Sequence, residues 1–269
     1  MFTRQGHSPS VEFPIVQGIE CVGIVEDDPS GQFKKGQQVA AIMGEMGRTF
    51  NGGYAENILV PQRILFTFNS DLPWQTIGAI PEMYQTVAGS LFEALDVMRG
   101  ETLLIRGGTS SIGMLACQLA KYLGLTVIST TRNPKKEKFL FQNGADYVVL
   151  DDGEVSVKVK EIFPEGVNKV LELVGTVTLT DSLKCISPRG IVCMTGILGN
   201  SWTMNGFSPM ADIPSTGRLT CYTGDAENLS SEKLQDFMNA VAKGEINVNV
   251  DRVFSLDQLA EAHVYMESN

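Results

Sequence analysis

Residues 101–124 read ETLLIRGGTSSIGMLACQLAKYLG, and the fold is decided here. A short apolar run, Thr102–Ile105, ends in Arg106 and two glycines, and an apolar-periodic helix opens at once and closes at Gly124. Strand, glycine turn and helix in immediate succession make the geometry a pyrophosphate needs. Backbone N–H groups of the turn and the positive end of the helix dipole face one point. Gly107 and Gly108 permit the tight turn, and Gly113 lets the helix lie close to the strand. In the spacing G-x-x-G-x-x-G the middle position falls on Ser110 rather than glycine, so the strand–helix context carries the reading. The phosphate-binding candidates are Gly108, Thr109, Ser110, Ser111, Ile112 and Gly113.

Outward from this turn the same texture continues. TVISTT (126–131), ADYVVLD (145–151), NKVLELVG (168–175) and RGIVCMTG (189–196) read as buried strands. PKKEKFLFQNG (134–144), VSVKVKEIF (155–163) and TLTDSLKCIS (178–187) read as the helices between them. Such alternation predicts a parallel, doubly wound α/β sheet of the Rossmann type. Ahead of it, VAGSLFEALDVM (87–98) has helical spacing. Residues 1 to about 80 have a different texture. GIECVGIVEDD, QQVAAIMG and YAENILVP, separated by DDPSG and NGG, predict a many-stranded β region. After RLTCYTG (218–224), a strand, the tail carries a helix ending at Gly244 and a last helix capped by Ser255.

The end of the second strand selects between dinucleotides. An NAD site offers an acid there for the ribose 2′-hydroxyl. Here TTRNPKK follows, with no acid before Glu137. Thr131, Arg132, Lys135 and Lys136 instead suit a 2′-phosphate, so the expected cofactor is NADP(H), with Thr131, Arg132 and Lys136 as its binding residues. The cations stand out because the chain of 269 residues carries a formal net charge of −10. A surface so acidic repels nucleic acid. Strand C-termini, where ligands of open sheets collect, add Val174 and Gly175, then Thr195, Gly196, Ile197 and Leu198.

No apolar run approaches membrane-spanning length, and the N-terminus lacks a signal-peptide core, so a cytoplasmic location is expected. The five cysteines form no C-x-x-C pair and read as free core thiols of a reducing compartment.

FPIVQGIECVGIV (13–25), NGGYAENILVP (51–61), PEMYQTVAGSLFEAL (81–95), GGTSSIGMLACQLAKYLG (107–124) and FQNGADYVVLDD (141–152) together resemble the medium-chain dehydrogenase/reductase superfamily. The nearest resemblance is to its zinc-independent quinone oxidoreductase branch, from about Phe13 to His263. It implies an incomplete GroES-like β domain over residues 1–85, to which 225–269 returns. It also implies a Rossmann NADP-binding domain over 86–224, with the cofactor in the cleft between the two. A homodimer is implied, through the region 197–210. By the resemblance Thr86 sits beside the nicotinamide, although it could also cap a helix. Tyr54 and Tyr84 are the other candidates for the reacting end, as a hydrogen-bond donor or a wall, and Glu20 is a further charged group there. Where the zinc-dependent branch carries G-H-E, this chain has Gly18-Ile19-Glu20. Its only histidines are His7 and His263, so no metal site is expected, and His263 reads as a packed helix residue.

The implied reaction is hydride transfer from NADPH to a small hydrophobic quinone or α,β-unsaturated carbonyl. Reduction of enoyl thioesters ranks lower for want of a basic groove. NADP(H) binding without catalysis is the alternative. The resemblance also leads one to expect further β-domain strands before the Phe13 segment and after Asn269.

Overall fold

The computed structural model describes residues 3–6 and 10–267; His7 lies outside them. The chain divides into two units. The first holds residues 1–85, 225–244 and 250–269, and the second holds 86–224 and 245–249.

In the first unit, β1 (Glu20–Ile24), β2 (Gln38–Ile42) and β3 (Leu65–Thr67) form an antiparallel sheet in that order. Glu20 pairs with Ile42 and Val39 with Thr67. Among the described residues this unit has three strands, fewer than the sequence suggests. Tyr54–Pro61 is irregular, and Leu59 is 94 % exposed. Glycine and proline explain it. Gly52 and Gly53 pack so tightly on the Gly18–Glu20 backbone that a Cβ would overlap carbonyl oxygens there. Pro61 then removes a ladder donor.

Helix α1 (Trp74–Ile77) leads into α2 (Pro81–Ala88), which is continued by a π turn, Gly89–Ala94. Leu95 N–H donates to Ser90 O at 2.9 Å, the i to i+5 bond of that geometry. The helix therefore starts six residues earlier than the 87–98 spacing suggests. Thr86 lies inside it rather than at its cap, which corrects that alternative for Thr86. At Gly89 a Cβ would stand 1.9 Å from the Tyr222 ring, so glycine is the residue that lets this ring close over the turn.

The second unit is the parallel doubly wound sheet. Its strands are β4 (Thr102–Arg106), β5 (Thr126–Thr131), β6 (Tyr147–Leu150), β7 (Val167–Glu172), β8 (Ile186–Met194) and β9 (Arg218–Cys221), in the order β6-β5-β4-β7-β8-β9. Helices α3 (Ser111–Tyr122), α4 (Glu137–Gln142), α5 (Val155–Ile162), α6 (Thr176–Lys184) and α7 (Pro209–Asp212) connect them. Leu103, Leu104 and Ile105 have no exposure, each worth about 1.5–3 kcal/mol on burial. The strand order reverses direction at β4 and β7, which pair with Arg106 opposite Glu172. Such a reversal opens a crevice at the strand C-termini.

The chain then returns to the first unit with α8 (Ser231–Ala242) and α9 (Leu259–Glu267). Ser230 accepts from Lys233 N–H at the start of α8, and Ser255 with Gln258 forms a capping box ahead of α9. The five cysteines are free. Burial pushes the thiols of Cys117 and Cys185 up to about 12, so they stay protonated.

Candidate functional site

Between β4 and α3 the chain turns on Gly107, whose φ is +90°, a backbone region that costs other residues strain. The turn is tied to the next strand. Gly107 N–H donates to Thr130 Oγ1 and Gly108 N–H to Thr130 O, both at 3.1 Å. Gly108 is needed for space, since a Cβ there would lie 1.9 Å from Ser129 Oγ. Gly113 is needed too, since its Cβ would meet Gly107 O at 2.5 Å. Ser110 caps α3: its Oγ accepts Gly113 N–H at 3.1 Å and donates to Gly107 O at 2.7 Å. A helix leaves its first N–H groups without intrahelical partners. The Ser110 cap takes one, and among the described residues the N–H groups of Ser111 and Ile112 at the helix mouth have none. Ser129 Oγ, buried under the turn, is also without a hydrogen-bond partner among the described residues.

At the end of β5, Thr131 is buried and the chain emerges into solvent. Thr131 Oγ1 accepts Asn133 N–H, and Asn133 caps the short turn Pro134–Lys136. Arg132, Lys135 and Lys136 are exposed. Among the described residues none of the three side chains makes an ion pair or hydrogen bond. The turn thus presents three uncommitted cations one strand from the phosphate-type cradle.

Across the reversal, β7 and β8 end together. Thr195 and Gly196 N–H groups both donate to Glu172 O, at 2.9 and 3.2 Å. Leu198 N–H reaches Leu173 O, and Gly199 N–H reaches Val174 O. Gly107 faces this side: a Cβ there would meet Leu173, Leu198 and Val174 within 3.5 Å. Thr86 joins through a relay, because Ser90 Oγ donates to Thr86 O at 2.7 Å and lies 2.9 Å from Thr195 Oγ1. The ends of β4, β7 and β8 and the start of the π turn therefore converge, bringing together Thr86, Val174, Gly175 and Thr195–Leu198.

Sequence reading missed the side chains beneath this floor. Arg106 has no exposure and points away from the phosphate cradle. Its guanidinium holds Asp151 through two bonds of 2.9 Å and Asp181 at 2.7 Å, and it reaches Thr178 O and Ser182 Oγ at 3.2 Å. Glu172, equally unexposed, accepts the N–H groups of Val174 and Gly175 at 2.7 and 2.9 Å and the Ser182 hydroxyl. Burial raises its carboxyl above the ordinary value, opposed by the Ser182 and Gly175 bonds and by Arg106. The signal was available: each is a charged residue at the C-terminal end of a buried strand.

In the first unit, the Tyr84 ring is buried and stacked on Phe237, with centroids 4.2 Å apart. Burial, with Asp236 adding, pushes its hydroxyl up to about 12, which suits a packing role. Tyr54 is 38 % exposed and meets His263 edge-on at 5.8 Å. Both line an open cavity of about 430 Å³ with Phe254, Leu256, Leu259 and Met266. Glu20 Oε2 accepts Glu82 N–H at 3.0 Å, which ties β1 to the first turn of α2. Burial, then the Glu82 charge, raises its carboxyl to about 7.

The chain matches the family described as "Alcohol dehydrogenase GroES-like domain" over residues 1–70 and that described as "Zinc-binding dehydrogenase" over residues 111–232. It is 27 % identical to the quinone oxidoreductase of Homo sapiens, over 97 % of this chain and 79 % of that protein. The fold overlays that of a Pseudomonas syringae quinone oxidoreductase with a TM-score of 0.86, at 25 % identity, over 100 % of this chain and 83 % of the other. A mycobacterial protein solved in complex with NADPH gives a TM-score of 0.85 at 25 % identity, over 99 % and 83 % of the two chains. These matches support an oxidoreductase of the medium-chain dehydrogenase/reductase type, similar to its quinone oxidoreductase-like branch.

The zinc of the second family description does not fit these residues. Among the described residues no three His, Cys, Asp or Glu side chains gather in a way that could hold a metal ion. Burial pushes the Cys21 thiol up to about 11, away from the thiolate a metal binds.

Proposed function

We propose that this chain is an NADPH-dependent, zinc-independent reductase acting on quinones or α,β-unsaturated carbonyls. One observation carries the proposal: Arg132, Lys135 and Lys136 stand uncommitted at the end of β5, with no acid in the chain between the strand and Glu137. That is the charge pattern for a 2′-phosphate. The NADPH bound by the mycobacterial relative and the acceptor named for the human relative support the same reading.

In it, Ser111 and Ile112 N–H groups hold the pyrophosphate, helped by Gly108, Thr109, Ser110 and Gly113. Thr131, Arg132 and Lys136 hold the adenosine end. Thr86, Val174, Gly175 and Thr195–Leu198 hold the ribose and nicotinamide. Bound NADPH supplies the hydride. The chain's share is to orient the ring and exclude water, with Tyr54 offering a hydroxyl in the β unit.

The assignment of residues 86–224 as the cofactor domain belongs to this proposal, as do a cytoplasmic location and a homodimer. Exposed Trp202 and Met210, at 62 % and 96 %, support an interface on that segment. Among the described residues no helix is long and apolar enough to cross a membrane. Steady-state NADPH oxidation with a panel of quinones and enones tests the activity. Cofactor binding without turnover of any acceptor would refute it.

A further inference from the structure

We infer that Glu172 is the positioning residue for the nicotinamide half of the dinucleotide; the inference rests on the NADP(H) reading of the Rossmann unit. Two turns lie on the β7 side of the reversal point, Val174–Gly175 after β7 and Thr195–Gly196 after β8. Glu172 holds both. Its carboxylate takes the N–H groups of Val174 and Gly175, and its carbonyl takes those of Thr195 and Gly196.

The two turns are thereby set against each other. Gly175, at φ +102°, sits so close that a Cβ would lie 3.0 Å from Gly196 O. The carboxylate is fixed in turn by the Ser182 hydroxyl, which also accepts from Arg106. Arg106 is locked by Asp151 and Asp181. The result is a buried, fully engaged polar floor beneath a ligand-facing surface, which specifies a single geometry.

Arg106 and Asp151 carry the floor across the sheet, but the bonds of Glu172 to the turns serve one half of it. The pyrophosphate and adenosine candidates lie at β4, α3 and the β5 end, and their contacts run through Thr130, Ser110 and Asn133. None of those contacts includes Glu172. Loss of the carboxylate should therefore loosen the ribose–nicotinamide side and spare the adenosine side.

Binding separates the two. Adenosine 2′,5′-bisphosphate carries the adenosine end alone; NADPH carries both. Titration calorimetry on the full chain would compare wild type, Glu172→Leu and Glu172→Gln. Leucine fills the space without acceptors. Glutamine keeps one oxygen for the two N–H groups, and the Ser182 hydroxyl can rotate to accept from its amide.

Glu172→Leu should weaken NADPH about tenfold and leave the bisphosphate within about twofold of wild type. Glu172→Gln should restore NADPH to within about threefold. Equal weakening of both ligands in Glu172→Leu would mean a structural role only and would overturn the assignment, as would unchanged NADPH affinity. If Glu172→Leu does not fold, Ser182→Ala, which removes the hydroxyl that fixes the carboxylate, decides. A loss for NADPH clearly larger than that for the bisphosphate supports the role, and equal loss for both ligands, or none for either, overturns it. If wild type binds neither ligand, the NADP(H) reading fails first, which a wild-type titration alone reveals.

Discussion

Replacing Glu20 by glutamine should make the protein more stable at pH 8 and leave it nearly unchanged at pH 4. Burial and the neighbouring Glu82 raise the Glu20 carboxyl from 4.5 to about 7 in the folded chain. The folded state thus holds its proton more tightly than the unfolded state. Stability from this group is greatest below pH 4.5, falls as the pH rises toward 7, and stays lost above it. A separation of about 2.5 pH units corresponds to roughly 3 kcal/mol. Glu20→Gln removes the charge, while its amide oxygen still accepts the Glu82 N–H. Since about 1 kcal/mol moves Tm by roughly 2–4 °C in a chain of this size, the variant should melt roughly 5 °C or more above wild type at pH 8. Circular-dichroism melts at the two pH values measure this. A difference of the same size at both, or a lower Tm for the variant at pH 8, refutes the reasoning.

Two further outcomes follow from packing. Arg106→Met leaves Asp151 and Asp181 without their buried partner and should cost about 3–5 kcal/mol in urea unfolding; a loss under about 1 kcal/mol would show that the network is dispensable. Gly89→Ala drives a methyl into the Tyr222 ring and should cost about 1–3 kcal/mol. Shortening the ring with Tyr222→Ala in the same chain should make the added methyl harmless, and an equal penalty with and without the ring would contradict the contact.

Much of this arrangement is written in local pattern. Parallel strands buried on both faces read as unbroken apolar runs, so Leu103–Ile105 and Val127–Ile128 announce themselves. Ser255 marks a helix start because a hydroxyl there takes orphan N–H groups. The phosphate cradle is legible because strand, turn and helix are contiguous. What escapes such reading depends on strand order. Arg106 and Glu172 are 66 residues apart and meet only because β4 pairs with β7. The need for glycine at position 89 comes from the Tyr222 ring, again a distant partner. Tyr54–Pro61 carries strand-type residues, yet the close packing of Gly52 and Gly53 and the proline at 61 override them. Tyr84 reads as well as a site residue as a core residue, and its neighbour Phe237 comes from α8, far along the chain.

The most direct test is comparative binding of NADPH and NADH, at fixed ionic strength, to wild type and to an Arg132→Ala/Lys136→Ala double variant. Wild type should bind NADPH at least about tenfold more tightly than NADH, and the double variant should lose that preference while keeping its NADH affinity. Equal affinities in wild type, or a preference that survives in the double variant, would contradict the account.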